Sequence, residues 1–175
     1  MKHKVPIKYI MFRKNKTDKL KKFKLSWYGN PDFSRIAPLT QAYGACFRGD
    51  GKILIIRTSK NWSLPGGTIE PGEKPIQTLK REVMEEGSVT IKNIIPLGYQ
   101  KVEEIGQSKN VVYQLRYFAL IDKILEQQID PAKGIIPDRK FINPQDFFKY
   151  CKWGAAGKAI MKKAMQTYRL VRNNP

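Results

Sequence analysis

Three carboxylates, Glu82, Glu85 and Glu86, fall at i, i+3 and i+4 of a segment whose spacing predicts a helix. Side chains at that spacing project from one face, so three negative charges crowd a single turn. Each like-charged pair disfavours a helix by about 0.2–0.5 kcal/mol. Negative charge near a helix C-terminus also opposes the macrodipole. A divalent cation relieves both penalties. Hard oxygen donors with no His or Cys beside them select Mg²⁺ or Mn²⁺ over zinc. Just upstream, Gly66, Gly67 and Gly72 allow close backbone approaches that a side chain would block, and Trp62 offers an aromatic plane for a substrate. A lone acidic face reads as a solvated surface, but one preceded directly by a Gly-rich loop reads as a metal site.

The elements around these residues follow from pattern. Pro75 suits the first turn of the helix, and Ile76, Leu79 and Val83 form an apolar stripe roughly opposite the carboxylates. Gly87 is expected to end the helix in a left-handed conformation. Residues 42–47 and 52–57 read as strands joined by a turn at Gly49-Asp50-Gly51, the second apolar enough to be covered on both faces. Residues 91–99 and 111–121 read as further strands, linked by a polar loop over 101–110. Residues 145–150 suggest a short helix, and 157–171 a basic C-terminal helix with Ile160, Ala164, Met165 and Tyr168 on one side. Residues 5–12 suggest a strand inside a basic N-terminal extension, taken as 1–36, ahead of an α/β domain over 37–175 that includes the C-terminal helix.

The chain has 175 residues, 41% of them hydrophobic, which suits one globular domain. No run approaches the ~20 apolar residues of a membrane-spanning helix, so no integral membrane association is expected. The N-terminus lacks a signal-peptide pattern, and a cytoplasmic location is the default. Cys46 and Cys151 are too few for a disulfide framework or a four-cysteine zinc site; Cys46 reads as core and Cys151 as exposed. His3, in the basic tail, reads as a bystander. The net charge is +18, and it is uneven. Residues 1–24 hold ten Lys or Arg against one acid, and residues 149–175 hold seven against none. Basic ends on a near-neutral body attract anionic partners in a salt-dependent way. RNA held through these ends is one such partner. An N-terminal strand could also pair across a homodimer.

The segment 67–89 resembles the Nudix box, which runs Gly, five residues, Glu, seven residues, Arg-Glu, an aliphatic, any residue, Glu-Glu, any residue, Gly, aliphatic. Here Gly67 leads to Glu73, then Arg81-Glu82, Val83, Glu85-Glu86, and Val89 in the last aliphatic place. Ser88 replaces the final Gly, and Gly87 is expected to take over its turn. The resemblance implies an α/β/α sandwich with a mixed sheet between helices. It also implies hydrolysis of a pyrophosphate linkage in a nucleoside diphosphate derivative, with Mg²⁺ or Mn²⁺. By the same analogy Glu82, Glu85 and Glu86 hold metal together with a carbonyl from Gly66–Gly67, and Glu73 pairs with Arg81 to brace the loop. A nucleotide is the implied substrate, and an RNA 5′-triphosphate end is the variant that the charge favours. A non-catalytic module that binds nucleotide or RNA is the other reading. Attack on a pyrophosphate needs cations on its oxygens and an activated water. The general base is Glu85 or Glu86 itself, or a downstream carboxylate. Asp138 is the leading candidate of that kind, with Glu103 and Glu104 as competitors.

Overall fold

In the computed structural model the apolar residues 53–56 are buried at every position, as a strand covered on both faces requires. Ile53 and Ile55 enter one hydrophobic cluster, while Leu54 and Ile56 enter the other. The structure describes residues 7–14, 20–29, 32–57, 60–106 and 110–173. His3 and the first two positions of the strand expected over 5–12 lie outside them. The strands are β1 (Ile7–Lys14), β2 (Leu20–Tyr28), β3 (Leu39–Phe47), β4 (Ile53–Arg57), β5 (Gly66–Thr68), β6 (Val89–Ile105), β7 (Val111–Ile124) and β8 (Asp138–Ile142). The helices are α1 (Pro75–Gly87), α2 (Phe147–Tyr150), entered by a 3-10 turn at Pro144–Asp146, and α3 (Gly154–Asn173).

The strands form one mixed sheet in the order β1-β2-β6-β7-β3-β4-β8, with β5 added to the start of β3. Among the described strands only the β3–β7 pair is parallel; the other pairs are antiparallel. Alternation along β3 sends Ala42 and Cys46 to one face and Ala45 and Phe47 to the other. Leu79 and Val83 of α1 pack with Ala42, Cys46 and Leu54 on the first face. Ile160, Met161 and Ala164 of α3 pack with Phe47, Ile53 and Phe118 on the second. The result is the expected sheet between helices.

Several local expectations change. The basic N-terminal segment supplies β1 and β2, a hairpin that joins the sheet through β6. Residues 101–105, expected in a loop, extend β6 because their acids face the lysines of β2. Lys21 pairs with Glu104 at 2.7 Å and Lys24 with Glu103 at 3.4 Å. The strand β8 was not apparent from the sequence and is recruited by pairing with β4. Cys151 is fully buried rather than exposed. On α1, Leu79 and Val83 are buried but Ile76, in the first turn, is 43% exposed. Glu82 and Glu86 sit beside this apolar stripe, not opposite it, and both are buried.

The end of α1 also differs. Ser88, not Gly87, takes the left-handed position, at φ 47° and ψ 48°, and its N–H donates to the Met84 carbonyl at 2.9 Å. Gly87 serves packing, since a Cβ there would lie 2.8 Å from Leu54 Cδ2. The Ser88 hydroxyl accepts a bond from Gln128 N–H at 3.2 Å, which offsets part of the left-handed strain. A left-handed conformation costs an L-residue about 1–2 kcal/mol, and a β-branched one more. Ser88→Gly is therefore expected to raise unfolding stability by about 0.5 kcal/mol and Ser88→Val to lower it by about 1–2 kcal/mol. Denaturant melts of the two variants check this; the same sign for both would contradict it.

Candidate active site

Glu82 and Glu86 are one turn apart on α1, and both face β5. Glu86 Oε2 accepts the Gly66 N–H at 2.9 Å. At Gly67 a Cβ would lie 2.2 Å from Glu82 Oε1, so only glycine leaves room for that carboxylate. Gly66 stands at φ +144°, with its hypothetical Cβ 2.3 Å from the Ala42 carbonyl, so neither its conformation nor its space admits a side chain. The Gly-Gly pair thus lets a helix carrying buried carboxylates close against a sheet edge.

Charge in this place must be balanced. Burial pushes the Glu82 carboxyl above its ordinary value, and Glu86 nearby adds to the rise. Burial raises Glu86 as well, opposed by Lys133 and by the Gly66 N–H. Among the described residues two cations reach the group. Arg81 donates to Glu73 from Nε at 2.8 Å and from Nη2 at 3.0 Å. Its Nη1 bridges Glu82 at 3.0 Å and Glu85 at 3.2 Å, and Nη2 also reaches the Thr68 carbonyl at 3.1 Å. Lys133, from the segment between β7 and β8, bonds Glu86 Oε1 at 2.8 Å and Asp130 Oδ2 at 2.9 Å. Burial works against its charge, but those two carboxylates outweigh it and raise its pKa. Bonds from Arg81 first, then from Thr78 and the Glu70 N–H, hold Glu73 down to about 2.

Among the described residues no three acidic, His or Cys side chains converge as a ready-made metal site. Arg81 bridges Glu82 and Glu85 instead, and Lys133 links Glu86 to Asp130. The donors nonetheless fit a hard divalent cation: two buried carboxylates beside a cradle that only glycine leaves open, with a third, Glu85, on the same Arg81 nitrogen.

The pattern described as NUDIX domain matches residues 38–164, most of the chain. The chain belongs to the Nudix family. Over 51 residues it is 41% identical to a MutT-like protein of Streptomyces ambofaciens, a match covering 28% of this chain and 33% of that one. The chain therefore aligns with about a third of that curated relative's length. Its fold is similar to that of the Bacillus subtilis pyrophosphohydrolase BsRppH, with a TM-score of 0.66 at 21% identity, covering 90% of this chain and 97% of that one. A Caenorhabditis elegans Ap4A hydrolase shares the fold at a TM-score of 0.55 and 18% identity, over 75% and 98% of the two chains. At these identities the likeness is one of fold.

Other Nudix-fold positions expected to act are dispersed. Asp138 opens β8 and pairs with Arg57 of β4 at 2.6 Å, largely exposed. Glu103 and Glu104 are engaged with the lysines of β2 and with Lys101. Trp62 carries Arg57 and Lys140 over its ring, at 5.1 and 4.9 Å, and meets Tyr150 edge-on. Its neighbour Ser63 instead helps line a cleft of about 360 Å³ between β1, β3, β6, β7 and the start of α3. Gln41 and Tyr43, which pair with Thr68 and Gly66, line this cleft, so it approaches the same short strand as the carboxylates. Buried Arg116 in its wall donates to the Gln100 and Gln114 amide oxygens at 2.9 and 3.0 Å and lies over the rings of Tyr43 and Trp153.

The sequence reading missed Lys133, Arg116 and Arg139. Arg139 donates to the carbonyls of Gly87 and Ser88 at 2.7 and 3.2 Å, bringing positive charge to the end of α1. A turn signal, Asp130-Pro131, preceded Lys133, but nothing in the chain linked it to a helix some forty residues earlier. The Glu73–Arg81 pair yields a pH test. An Asp or Glu depressed on folding contributes stability above its unfolded value, about 4.3 for Glu, and loses it as pH falls through the folded value. Glu73→Gln should thus lower the melting temperature at pH 6–7, and the deficit should shrink as pH falls from about 5 toward 2. Parallel melting curves of the two proteins at every pH would contradict the pairing.

Proposed function

We infer that this Nudix protein hydrolyses a pyrophosphate linkage in a nucleoside diphosphate derivative with Mg²⁺ or Mn²⁺. The observation that carries the reading is the pair of buried carboxylates, Glu82 and Glu86, pressed against a strand that only glycine allows. Ionised carboxylates in such a place are costly without compensation. Glu82, Glu85 and Glu86, with the Gly67 carbonyl, are the residues that would hold the ion. When bound, the ion would neutralise the diphosphate oxygens and lower the pKa of the attacking water. The chain's own residues supply the rest. Gly66 and Gly67 let the helix carboxylates close on the strand backbone, Arg81 keeps Glu82 and Glu85 oriented, and the cleft takes the nucleoside. There Tyr43 and Trp153 offer ring surfaces, and Gln114, its oxygen committed to Arg116, offers an amide donor. With Asp138 engaged by Arg57, we assign proton acceptance to Glu85, the most accessible carboxylate of the three.

Relatives sharing the fold are described as a pyrophosphohydrolase and an Ap4A hydrolase, which supports the reaction class but not one substrate. A polynucleotide substrate, a 5′-triphosphorylated RNA end, is favoured by one specific feature: the cleft is lined by Tyr9, Ile10 and Met11 of β1 and by Lys152 and the start of α3, segments that also carry exposed Lys8, Lys158 and Lys162. A cytoplasmic location accords with this use, and no described helix is long and apolar enough to cross a membrane.

Phosphate and pyrophosphate release from a nucleotide panel with Mg²⁺ tests the reading. Glu85→Gln and Glu86→Gln should each lower kcat by at least about 10²-fold. A wild type as inert as both variants on every substrate would leave only the binding module. For RNA, affinity should fall steeply with salt, and neutralising exposed Lys8, Lys158 and Lys162 should reduce that slope. An unchanged slope would reject the polynucleotide.

A further inference from the structure

The two cations that balance the α1 carboxylates are held very differently. Arg81 stands on α1 itself and is fixed by Glu73, Glu82, Glu85 and the Thr68 carbonyl. Its planar fork suits such multiple bonding. Lys133 comes from a turn closed by the Asp130–Ile135 bridge and is held by two carboxylate oxygens, those of Glu86 and Asp130. Its side chain is 36% exposed, so its ammonium has water to move into.

Glu86 divides its oxygens. Oε2 is taken by the Gly66 N–H and Oε1 by the Lys133 ammonium. The backbone amide belongs to the sheet edge and does not leave. A divalent ion seeking Glu86 therefore meets Lys133 at Oε1, and two cations on one carboxylate oxygen repel strongly at contact distance. Of the two internal cations, Lys133 is the one able to yield. Asp130 limits how far it goes. That carboxylate is 1% exposed, and its Oδ1 accepts the backbone N–H groups of Ala132 and Lys133 at 2.9 and 3.2 Å. An ammonium tethered there stays at the rim of the carboxylate group, and the next anion to arrive is the diphosphate.

We propose that Lys133 is an exchangeable counter-ion: it neutralises Glu86 in the ion-free protein, yields that oxygen to the divalent ion, and then pairs with the substrate's diphosphate. The proposal rests on the reading of the site as a metal site. Lys133 thereby weakens metal binding to the free protein and strengthens diphosphate binding to the loaded one.

The test measures Mn²⁺ binding to the nucleotide-free protein by electron paramagnetic resonance. It then measures binding of methylenediphosphonate, a diphosphate that resists hydrolysis, to the Mn²⁺-saturated protein by calorimetry. Lys133→Gln should bind Mn²⁺ about tenfold more tightly than wild type and the diphosphonate about tenfold more weakly. The double variant Asp130→Asn with Lys133→Gln removes both charges, so that buried Asp130 is not left as an unpaired anion, and should show the same two shifts if the single variant folds poorly. Unchanged or weaker Mn²⁺ binding in these variants overturns the proposal, as does undiminished diphosphonate binding. Mn²⁺ uptake in wild type that Glu86→Gln lowers shows that such a failure belongs to Lys133 alone. No uptake by wild type or variants overturns the metal reading, and this proposal with it.

Discussion

Glu82 and Glu86 are like charges one helical turn apart, taken out of water against the edge of a sheet, and most of the surrounding structure answers that arrangement. Removing a carboxylate from water is unfavourable unless it is hydrogen-bonded and paired. The pairing here comes from several directions. Arg81 reaches sideways along α1, Lys133 comes from the segment after β7, the Gly66 amide comes from β5, and Arg139 supplies positive charge at the end of the helix. No cation stands in the last turn of α1 itself, so the helix depends on others to offset both its charges and its dipole.

The sheet makes this possible by bringing distant segments to one edge. β3 carries β5 at its start and β4 at its end, and β4 in turn recruits β8, so the loops around the carboxylates come from separate parts of the chain. The same strand divides the two cores. Ala42 and Cys46 seat α1, whereas Tyr43 opens onto the cleft under α3. The carboxylates meet the short strand β5 directly, and the cleft reaches it through Gln41 and Tyr43, which pair with Thr68 and Gly66.

The basic ends are part of the same economy of charge. Lysines of β2 meet Glu103 and Glu104 on β6, a division of the N-terminal charge toward strand pairing. That division explains why a lysine-rich segment, polar enough to read as an extension, lies within the sheet. The acids that accept it are some eighty residues away, beyond any local pattern.

Much of the site was legible from local pattern. The helix bounds Pro75 and Gly87, the carboxylate spacing, the glycines and the doubly covered strand β4 all depend on neighbours within a few residues, where period and propensity act directly. The Glu73–Arg81 pair was accessible through the family resemblance. What remained hidden was decided by contacts between remote segments. Gly87 is kept without a side chain by Leu54, from β4, which fills the space where its Cβ would go, while Ser88 takes the left-handed turn and its hydroxyl accepts the Gln128 N–H from a remote segment. Glu82 and Glu86 are buried because β5 closes over the helix, and helical periodicity alone does not say which side a sheet will cover. Asp138 turns to Arg57, and Lys133 reaches Glu86, because strand register sets which loop faces which helix. The sequence by itself determined a carboxylate helix behind a glycine-rich segment, since both are local. Only the tertiary structure decided which cations balance it, because such pairing is a matter of position in space.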